Sequence, residues 1–370
     1  MIFGIITHAV HKIKDGQIYA YEPYVREMNL WGKYVDKILI VAPVSVDEVR
    51  SIDSYYENSD IELIAIPNFD ITSFKNMIQS ILVIPKICQT IYLVMKQVNH
   101  IHLRCPGNVG LLGCILQIFF PSKIKTAKYA GNWDPKSKQP ITYRLQKWIL
   151  GNTSLTKNIK VLVYGNWPKQ SKNILPFFTA SYQQNEIEEL PKKDFNSKIK
   201  LLFVGAFSTG KQPLLSVKAA HKLIKRGHNI SLDMYGNGSE FIKIDKYIND
   251  NVLYKYIKLH GNQSKEIVKQ GFQKSHFLVF ISKSEGWPKV VAESMFWSCL
   301  PVSTKVSCVP YMLDHGNRGC LINDNIDDIV EKIEQYIYDK KIYFQQVSRA
   351  KKWSQQFTLD AFEEAIKELI

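Results

Sequence analysis

Glu285 and Glu293 bracket the segment Ile281–Thr304, ISKSEGWPKVVAESMFWSCLPVST, in which a strand ends and a helix begins. A carboxylate accepts hydrogen bonds, often in bidentate form, so two at this spacing suit a polyol. Pro288 fits a first helical position, where a missing N–H leaves nothing unpaired. Trp287 ahead of it is a poor N-cap. The helix start is therefore predicted to lack a cap from its own side chains, leaving N–H groups that favour a phosphate through both dipole and hydrogen bonds. Gly286 lets the backbone approach such a ligand closely. One carboxylate would hold a ribose diol and the other a hexose hydroxyl, with a diphosphate between them. An isolated E-x7-E reads more simply as an exposed helix with a favourable first-turn glutamate, so the surroundings decide.

Those surroundings alternate short apolar strands with longer helical patterns, which argues for parallel sheets covered on both faces. Expected strands are Ile2–Thr7, Lys37–Ala42, Ile61–Ile66, Ile101–Cys105, Lys125–Tyr129 and Lys160–Tyr164, with helices at 72–99, 107–119 and 141–150. A polar stretch, Gln183–Lys198, reads as a linker. The alternation restarts with strands at 200–205, 231–235, 257–260, 277–281 and 301–303. Helices are expected at 211–226, 239–249, 265–274, 288–298, 327–339, 342–355 and 359–370. At 370 residues the chain has room for two such α/β units, whose ligands should bind beyond the carboxyl ends of the strands.

The 281–304 run resembles the signature of family-4 (group 1) glycosyltransferases of the GT-B fold, S-x-x-E-G-[FW]-P-x-x-x-x-E-[AS]-M ahead of a Pro-Val strand. It is carried here by Ser282, Glu285, Gly286, Trp287, Pro288, Glu293, Ser294, Met295, Pro301 and Val302. The likeness extends to Gly316–Ile322 and covers most of 198–370. It implies an α/β architecture of two Rossmann-like doubly wound domains facing a central cleft. An acceptor-side domain would span 1–185, a linker 186–198, a nucleotide-sugar domain 199–350, and a helix crossing back to the first domain 351–370.

By matching position, Glu293 would hold the nucleotide ribose and Glu285 the donor sugar. The family's G-R-x-x-x-x-K becomes Gly205 to Lys211, making Lys211 the diphosphate lysine at a helix start. Ala206 replaces the usual arginine, so Arg104 or another base from the first domain would substitute, or donor affinity would be lower. Gly236 and Gly238 match a G-x-G near the base or ribose, and Ser264 falls in a base-contacting loop. Glu285 and Lys211 are thus the catalytic candidates. Glu293, Gly205, Gly236, Gly238, Gly286, Trp287, Pro288, Lys289 and Val290 are the donor-binding ones. No D-x-D occurs, and the resemblance implies neither metal nor cofactor, only a nucleotide-diphosphate sugar as donor substrate.

The first half offers weaker candidates at strand ends. Thr7 and His8 close the first strand ahead of a polar loop containing Gly16, expected over the donor phosphates. Arg104 ends another strand, whereas His102 alternates with Ile101 and Leu103 and reads as a core histidine. Asn132, in Tyr129-Ala130-Gly131-Asn132-Trp133-Asp134, belongs either to a sugar-recognising group or to a plain turn.

Formal charge is +14, mostly through lysine. Between Asp70 and Glu186 the only acid is Asp134, and residues 96–172 hold 13 Lys plus Arg. Such a segment attracts anionic lipid heads, phosphates or nucleic acid, unless it is simply a solvated basic surface. Six cysteines without CxxC spacing read as buried thiols in a reducing compartment. The opening MIFGIITHAV reads as a core strand and not a signal peptide. No apolar run reaches the ~20 residues of a spanning helix.

The resemblance implies a retaining, metal-independent glycosyltransferase, and with the basic segment it leads to the expectation of a role in surface polysaccharide assembly (capsule, exopolysaccharide or O-antigen). The enzyme would move a sugar from a nucleotide sugar to a glycan, carried on a lipid diphosphate, at the cytoplasmic face of the membrane. The alternatives are a nucleotide-sugar epimerase on the same scaffold and a nucleic-acid-binding protein. Only charge suggests the last, since no basic–aromatic RNA-binding motif is present, and no nucleic-acid partner is expected.

Overall fold

A seven-stranded and a six-stranded sheet, both parallel, organise the chain. The computed structural model describes residues 1–50, 52–67 and 74–370, the side chains of 74–81 excepted. The strands of the first half are β1 (Ile2–Ile6), β2 (Lys12–Lys14), β3 (Gln17–Tyr21), β4 (Lys37–Pro43), β5 (Asp53–Tyr55), β6 (Ile61–Ile66), β7 (His100–Cys105), β8 (Ile124–Tyr129), β9 (Ile159–Tyr164) and β10 (Ile174–Phe177). Those of the second half are β11 (Ile199–Val204), β12 (Ile230–Tyr235), β13 (Ile257–Gly261), β14 (Phe277–Phe280), β15 (Leu300–Thr304) and β16 (Cys320–Ile322). The helices are α1 (Glu22–Gly32), α2 (Phe74–Gln97), α3 (Asn108–Leu116), α4 (Ile141–Gly151), α5 (Pro213–Lys225), α6 (Phe241–Asp250), α7 (Lys265–Lys274), α8 (Lys289–Phe296), α9 (Val309–Met312), α10 (Ile326–Tyr338), α11 (Lys340–Ser354) and α12 (Leu359–Lys367). The expected start of the 72–99 helix, at Thr72, lies outside the described residues.

The chain divides into two compact units, Met1–Phe177 with Phe362–Ile370, and Phe178–Ala361. In the first, the sheet order is β10-β9-β8-β7-β1-β4-β6. In the second it is β13-β12-β11-β14-β15-β16. Each unit thus starts at a central strand, builds outward in one direction, then returns to build in the other. The order reverses between β1 and β7 in the first unit and between β11 and β14 in the second. Loops leaving those paired strands at their carboxyl ends diverge, which opens a crevice suited to ligands.

Continuous burial explains why the sheets are parallel. From Ile38 to Pro43 every residue of β4 is buried, as is all of β14 and β15. Such strands need helices on both faces. The first core joins Ile6, Val41, Leu103, Ala127 and Val161 across five strands. The second joins Leu201, Phe203, Leu232, Val279 and Val302.

Three departures from the expected pattern have local causes. The polar segment after β1 is not an open loop: β2 and β3 form an antiparallel hairpin, extended by β5. Asp15 and Gly16 make its two-residue turn with φ of 50° and 76°, a conformation glycine adopts without strain. β10 gives little signal in the sequence because ILPF is short and contains proline, which only an edge position tolerates. The polar stretch Gln183–Lys198 lies inside the second unit. Glu186 faces Lys265 and Lys269 at 3.6 and 3.9 Å, and the Phe195 ring packs 4.7 Å from Tyr343.

The last nine residues pack with the first unit. Phe362 sits 5.4 Å from the Phe177 ring, Glu363 pairs with Lys33 at 2.8 Å, and Lys160 donates to the Glu368 carbonyl at 2.9 Å. All six cysteines are free thiols, five of them buried.

Candidate functional site

The second unit's reversal point lies between the loop after β11, Gly205 to Gln212, and the loop after β14, Ile281 to Pro288. Lys283 N–H donates to the Gly210 carbonyl at 2.9 Å, which fixes the two loops together. Across this junction the Lys211 ammonium forms an ion pair with Glu285 Oε1. Ser282 Oγ donates to the same oxygen at 2.5 Å, and the Phe280 ring lies 4.9 Å beneath the ammonium. Ser282 is itself held by Thr304, whose hydroxyl accepts from Ser282 N–H at 3.0 Å and donates to its carbonyl at 2.8 Å. A cation, a carboxylate and a hydroxyl from two distant segments are therefore brought to one point.

Lys211 does not stand at a helix start. Gln212 adopts a left-handed conformation (φ 44°, ψ 45°), so α5 begins only at Pro213 and Lys211 projects from the turn before it. Pro288 likewise is the N-cap of α8 and not its first helical residue, because its backbone is extended (φ −73°, ψ 90°). No side chain caps α8, as the sequence predicts. Lys289 and Val290, both half-buried, form its first turn. Gly286 lies just ahead, its carbonyl accepting from Ser307 Oγ at 3.0 Å and Cys308 Sγ at 3.2 Å. Trp287 is buried, its ring 6.2 Å from Trp353 and 5.9 Å from Phe357. Its packing orients the loop.

The glycines let the loops after β11 and β12 approach closely. A Cβ on Gly236 would lie 1.9 Å from the Gly205 carbonyl oxygen, and one on Gly238 would lie 2.6 Å from that of Phe207. Gly236 also has φ of 142°, which L side chains rarely adopt. Gly205 N–H donates to the Tyr235 carbonyl at 2.9 Å, so the loops after β11 and β12 lie backbone to backbone. Ser264 serves locally: it caps α7 by accepting from Ile267 N–H at 3.4 Å.

Glu293, in the second turn of α8, accepts a hydrogen bond from Ser181 Oγ. The adjacent cavity, lined in part by Ser181, Tyr182, Lys289 and Phe357, measures about 10 Å³. Burial and the Glu293 charge together push the Tyr182 phenol well up.

In the first unit a cavity of about 780 Å³ lies at the β1–β7 reversal, lined among others by His8, Lys12, Tyr24, Asp53 and Arg104. Arg104 Nη1 pairs with Glu27 at 2.7 Å, with its guanidinium 5.4 Å from the Tyr24 ring centre. Lys12 pairs with the buried Asp53 at 2.8 Å. Desolvation and the Arg104 charge hold the His8 imidazole below 6.5. Thr7 is buried and accepts from Ala9 N–H at 3.1 Å, shaping the turn that presents His8. His102 is a core residue as expected, bonded to Thr126 Oγ1 at 2.9 Å.

Asn132 shapes a local turn. Its Oδ1 accepts from Asp134 N–H at 2.9 Å, and Trp133 is buried beside Tyr129 with ring centres 4.8 Å apart. Gly16 lies in the hairpin turn, where a Cβ would meet nothing within 4 Å. The basic count over 96–172 overstates the surface field. Lys128 is buried against the Phe177 ring at 4.3 Å, and Lys125 donates to the Phe120 carbonyl at 2.9 Å, its pKa pushed down to about 8 by burial.

Sequence reasoning missed Glu27 and Ser181. Glu27 had a signal: it shares the buried face of α1 with Tyr24, Met28 and Trp31, where an acid requires a partner. Ser181 had none. Among the described residues no group of three His, Cys, Asp or Glu side chains is placed to hold a metal ion, and no helix is long and apolar enough to cross a membrane.

Residues 185–353 match the family described as "Glycosyl transferases group 1". An uncharacterized glycosyltransferase of Methanocaldococcus jannaschii is 28% identical over 158 residues, 42% of this chain and 43% of that protein. The poly(glycerol-phosphate) alpha-glucosyltransferase of Bacillus subtilis is 30% identical over 167 residues, 44% of this chain and 23% of that protein. The chain thus spans less than half the length of these curated relatives. Among solved structures, Anabaena HepE in complex with UDP superposes with a TM-score of 0.69 at 12% identity, covering 99% of this chain and 98% of that one.

Proposed function

We propose that this chain, whose residues 185–353 match the group 1 glycosyltransferases and whose two parallel α/β sheets are of the GT-B kind, transfers a sugar from a nucleotide-diphosphate donor to a glycan acceptor. One observation carries the reading: Lys211 and Glu285 are paired where the sheet order reverses, beside a helix start without a side-chain cap. The UDP bound by Anabaena HepE supports a uridine nucleotide as the first donor to try.

In this mechanism Lys211 and the α8 N-terminus stabilise the charge that builds on the departing diphosphate. Glu285 orients the donor sugar and Glu293 takes the ribose diol, exchanging Ser181 for it. The bond from the anomeric carbon to the diphosphate oxygen breaks as the acceptor hydroxyl attacks from the same face. The acceptor proton passes to the leaving phosphate, and configuration is retained. Glu285 and Lys211 do the chemistry without a metal, while Gly205, Gly236 and Gly238, with Gly286, admit the nucleotide backbone to backbone.

The acceptor is a glycan carried on a lipid diphosphate, met at the cytoplasmic surface of a membrane during surface polysaccharide assembly. His8 and Arg104, facing the first unit's cavity, are its candidate contacts.

A thermal-shift screen of UDP-, GDP- and ADP-sugars tests the donor clause. A ligand at 100-fold its Kd adds about 2.7 kcal/mol to stability by mass action. One class should raise the melting temperature of the wild type and fail to do so with Lys211→Ala. If no nucleotide sugar stabilises the protein, the reading is wrong.

A further inference from the structure

Helix α4 is apolar on both sides. Gln146, Ile149 and Leu150 are buried on the inner side. Ile141, Arg144, Leu145 and Trp148 follow one another at i, i+3, i+4 and i+7, so they share the outer side. There Ile141 is 80% exposed, Leu145 40% and Trp148 59%. Single exposed apolar residues need no explanation, but three large ones in a helical stripe do.

The charges around the stripe are mainly positive. The loop leading into α4 exposes Lys136 and Lys138, and Arg144 lies within the stripe. The only acid of 96–172 is Asp134, whose Oδ1 is occupied by Lys136 N–H at 2.8 Å. We propose that the outer face of α4, Ile141, Leu145 and Trp148 with Lys136, Lys138 and Arg144, docks the protein in the plane of an anionic lipid surface.

Charge chooses between the two occupants an apolar stripe admits. A second copy docked on this face by two-fold symmetry would bring two clusters of Lys136, Lys138 and Arg144 into one interface, and like charges at an interface are costly. Anionic head groups neutralise the same cations while acyl chains receive the apolar side chains. That division of Trp, Leu and Ile below and Lys and Arg above is how a helix lies in a bilayer interface without crossing it. Purpose, though not geometry, rests on the reading of a lipid-linked acceptor: docking would bring the enzyme to it.

The test is flotation with vesicles of phosphatidylcholine alone and of phosphatidylcholine with phosphatidylglycerol. The wild type should float with the anionic vesicles only, less so at high salt. Ile141→Ser/Leu145→Ser/Trp148→Ser, and separately Lys136→Glu/Lys138→Glu, should each weaken that binding at least about 10-fold. Both variants should keep the wild-type melting temperature and nucleotide-sugar shift, so a failure of docking is separable from a failure of the donor reading. Brominated acyl chains should quench wild-type fluorescence more than that of Trp148→Phe. The proposal is overturned if anionic vesicles do not bind or bind the variants equally. It is also overturned if the stripe instead drives a concentration-dependent dimer that the triple serine variant abolishes.

Discussion

Lys211 and Glu285, 74 positions apart in sequence, form an ion pair at the point where the second sheet reverses its strand order. The cation proposed for the diphosphate thus holds the carboxylate proposed for the sugar before either substrate arrives. Ser282 shares the same carboxylate oxygen, so Glu285 stays oriented when Lys211 turns to phosphate. Lys211→Ala should therefore leave Glu285 in place and remove only the charge on the leaving group. A charge-assisted hydrogen bond of about 1.5–3 kcal/mol predicts a fall in kcat/KM of roughly 10–150-fold. Glu285→Gln keeps the shape and loses the charge, and it should lower kcat more than it raises KM. Steady-state kinetics on both variants checks this, and wild-type turnover in Lys211→Ala would remove the lysine from the mechanism.

Ser181 and Glu293 make the opposite case, a contact the donor must displace. Ser181→Ala takes away the internal donor to Glu293 and should leave nucleotide-sugar affinity equal or up to about fivefold tighter, since a competing hydrogen bond of about 1 kcal/mol is gone. Glu293→Gln should weaken donor binding about 10-fold. Titration calorimetry with the donor that stabilises the wild type measures both. Equal weakening by the two substitutions would mean that Ser181 positions Glu293 for the ribose.

The strand–helix alternation was legible because strands such as β4 and β14 are continuous apolar runs. Ile61–Ile66 and Lys265–Lys274 have the expected ends, the latter fixed by the Ser264 cap. Helix starts were less legible where the backbone is unusual. Gln212 in a left-handed conformation and Pro288 with extended ψ each delay a helix that side-chain pattern alone would begin earlier. Long-range partners were least legible. Nothing near Ser181 points to Glu293, and the Arg104–Glu27 pair depends on β7 and α1 meeting in the fold. Lys125 and Lys128 look like surface charge in a basic segment, yet β8 is central enough to bury both.

Gly236 should be among the least replaceable residues of the second unit. A Cβ 1.9 Å from the Gly205 carbonyl forces two packed loops apart, and its φ of 142° strains any L residue. Gly236→Ala should cost about 2–4 kcal/mol, or roughly 5–15 °C in melting temperature for a unit of this size. Gly227→Ala is the control: φ is 89° but a Cβ there would meet no atom within 4 Å, so only the backbone penalty of about 1 kcal/mol remains. Differential scanning calorimetry on the two variants separates close approach from backbone strain, and similar losses would show that the loop contact contributes little.

Buried histidines predict an acid-sensitive fold. Burial lowers the imidazoles of His11, His100 and His276 to about 4, and that of His102 well below 6.5. His276 shows why the neutral form is kept. Its Nδ1 accepts from Lys200 N–H at 3.1 Å and its Nε2 donates to the Asp194 carbonyl at 3.0 Å, an arrangement that protonation of Nδ1 would break. In the unfolded chain these groups titrate near 6.5. Between pH 6.5 and 4 the unfolded state therefore binds protons that the native state refuses, and stability rises with pH through that window. The contribution is complete above 6.5 and is lost as pH falls towards 4, at up to about 1.4 kcal/mol per pH unit for each histidine. Urea denaturation at pH 7.5, 6 and 5 should give a steadily falling midpoint. In His276→Gln, where the amide can accept and donate in the same places without titrating, the fall should be shallower. A midpoint that does not change from pH 7.5 to 5 would mean that these rings are reached by solvent and protonate without unfolding the chain.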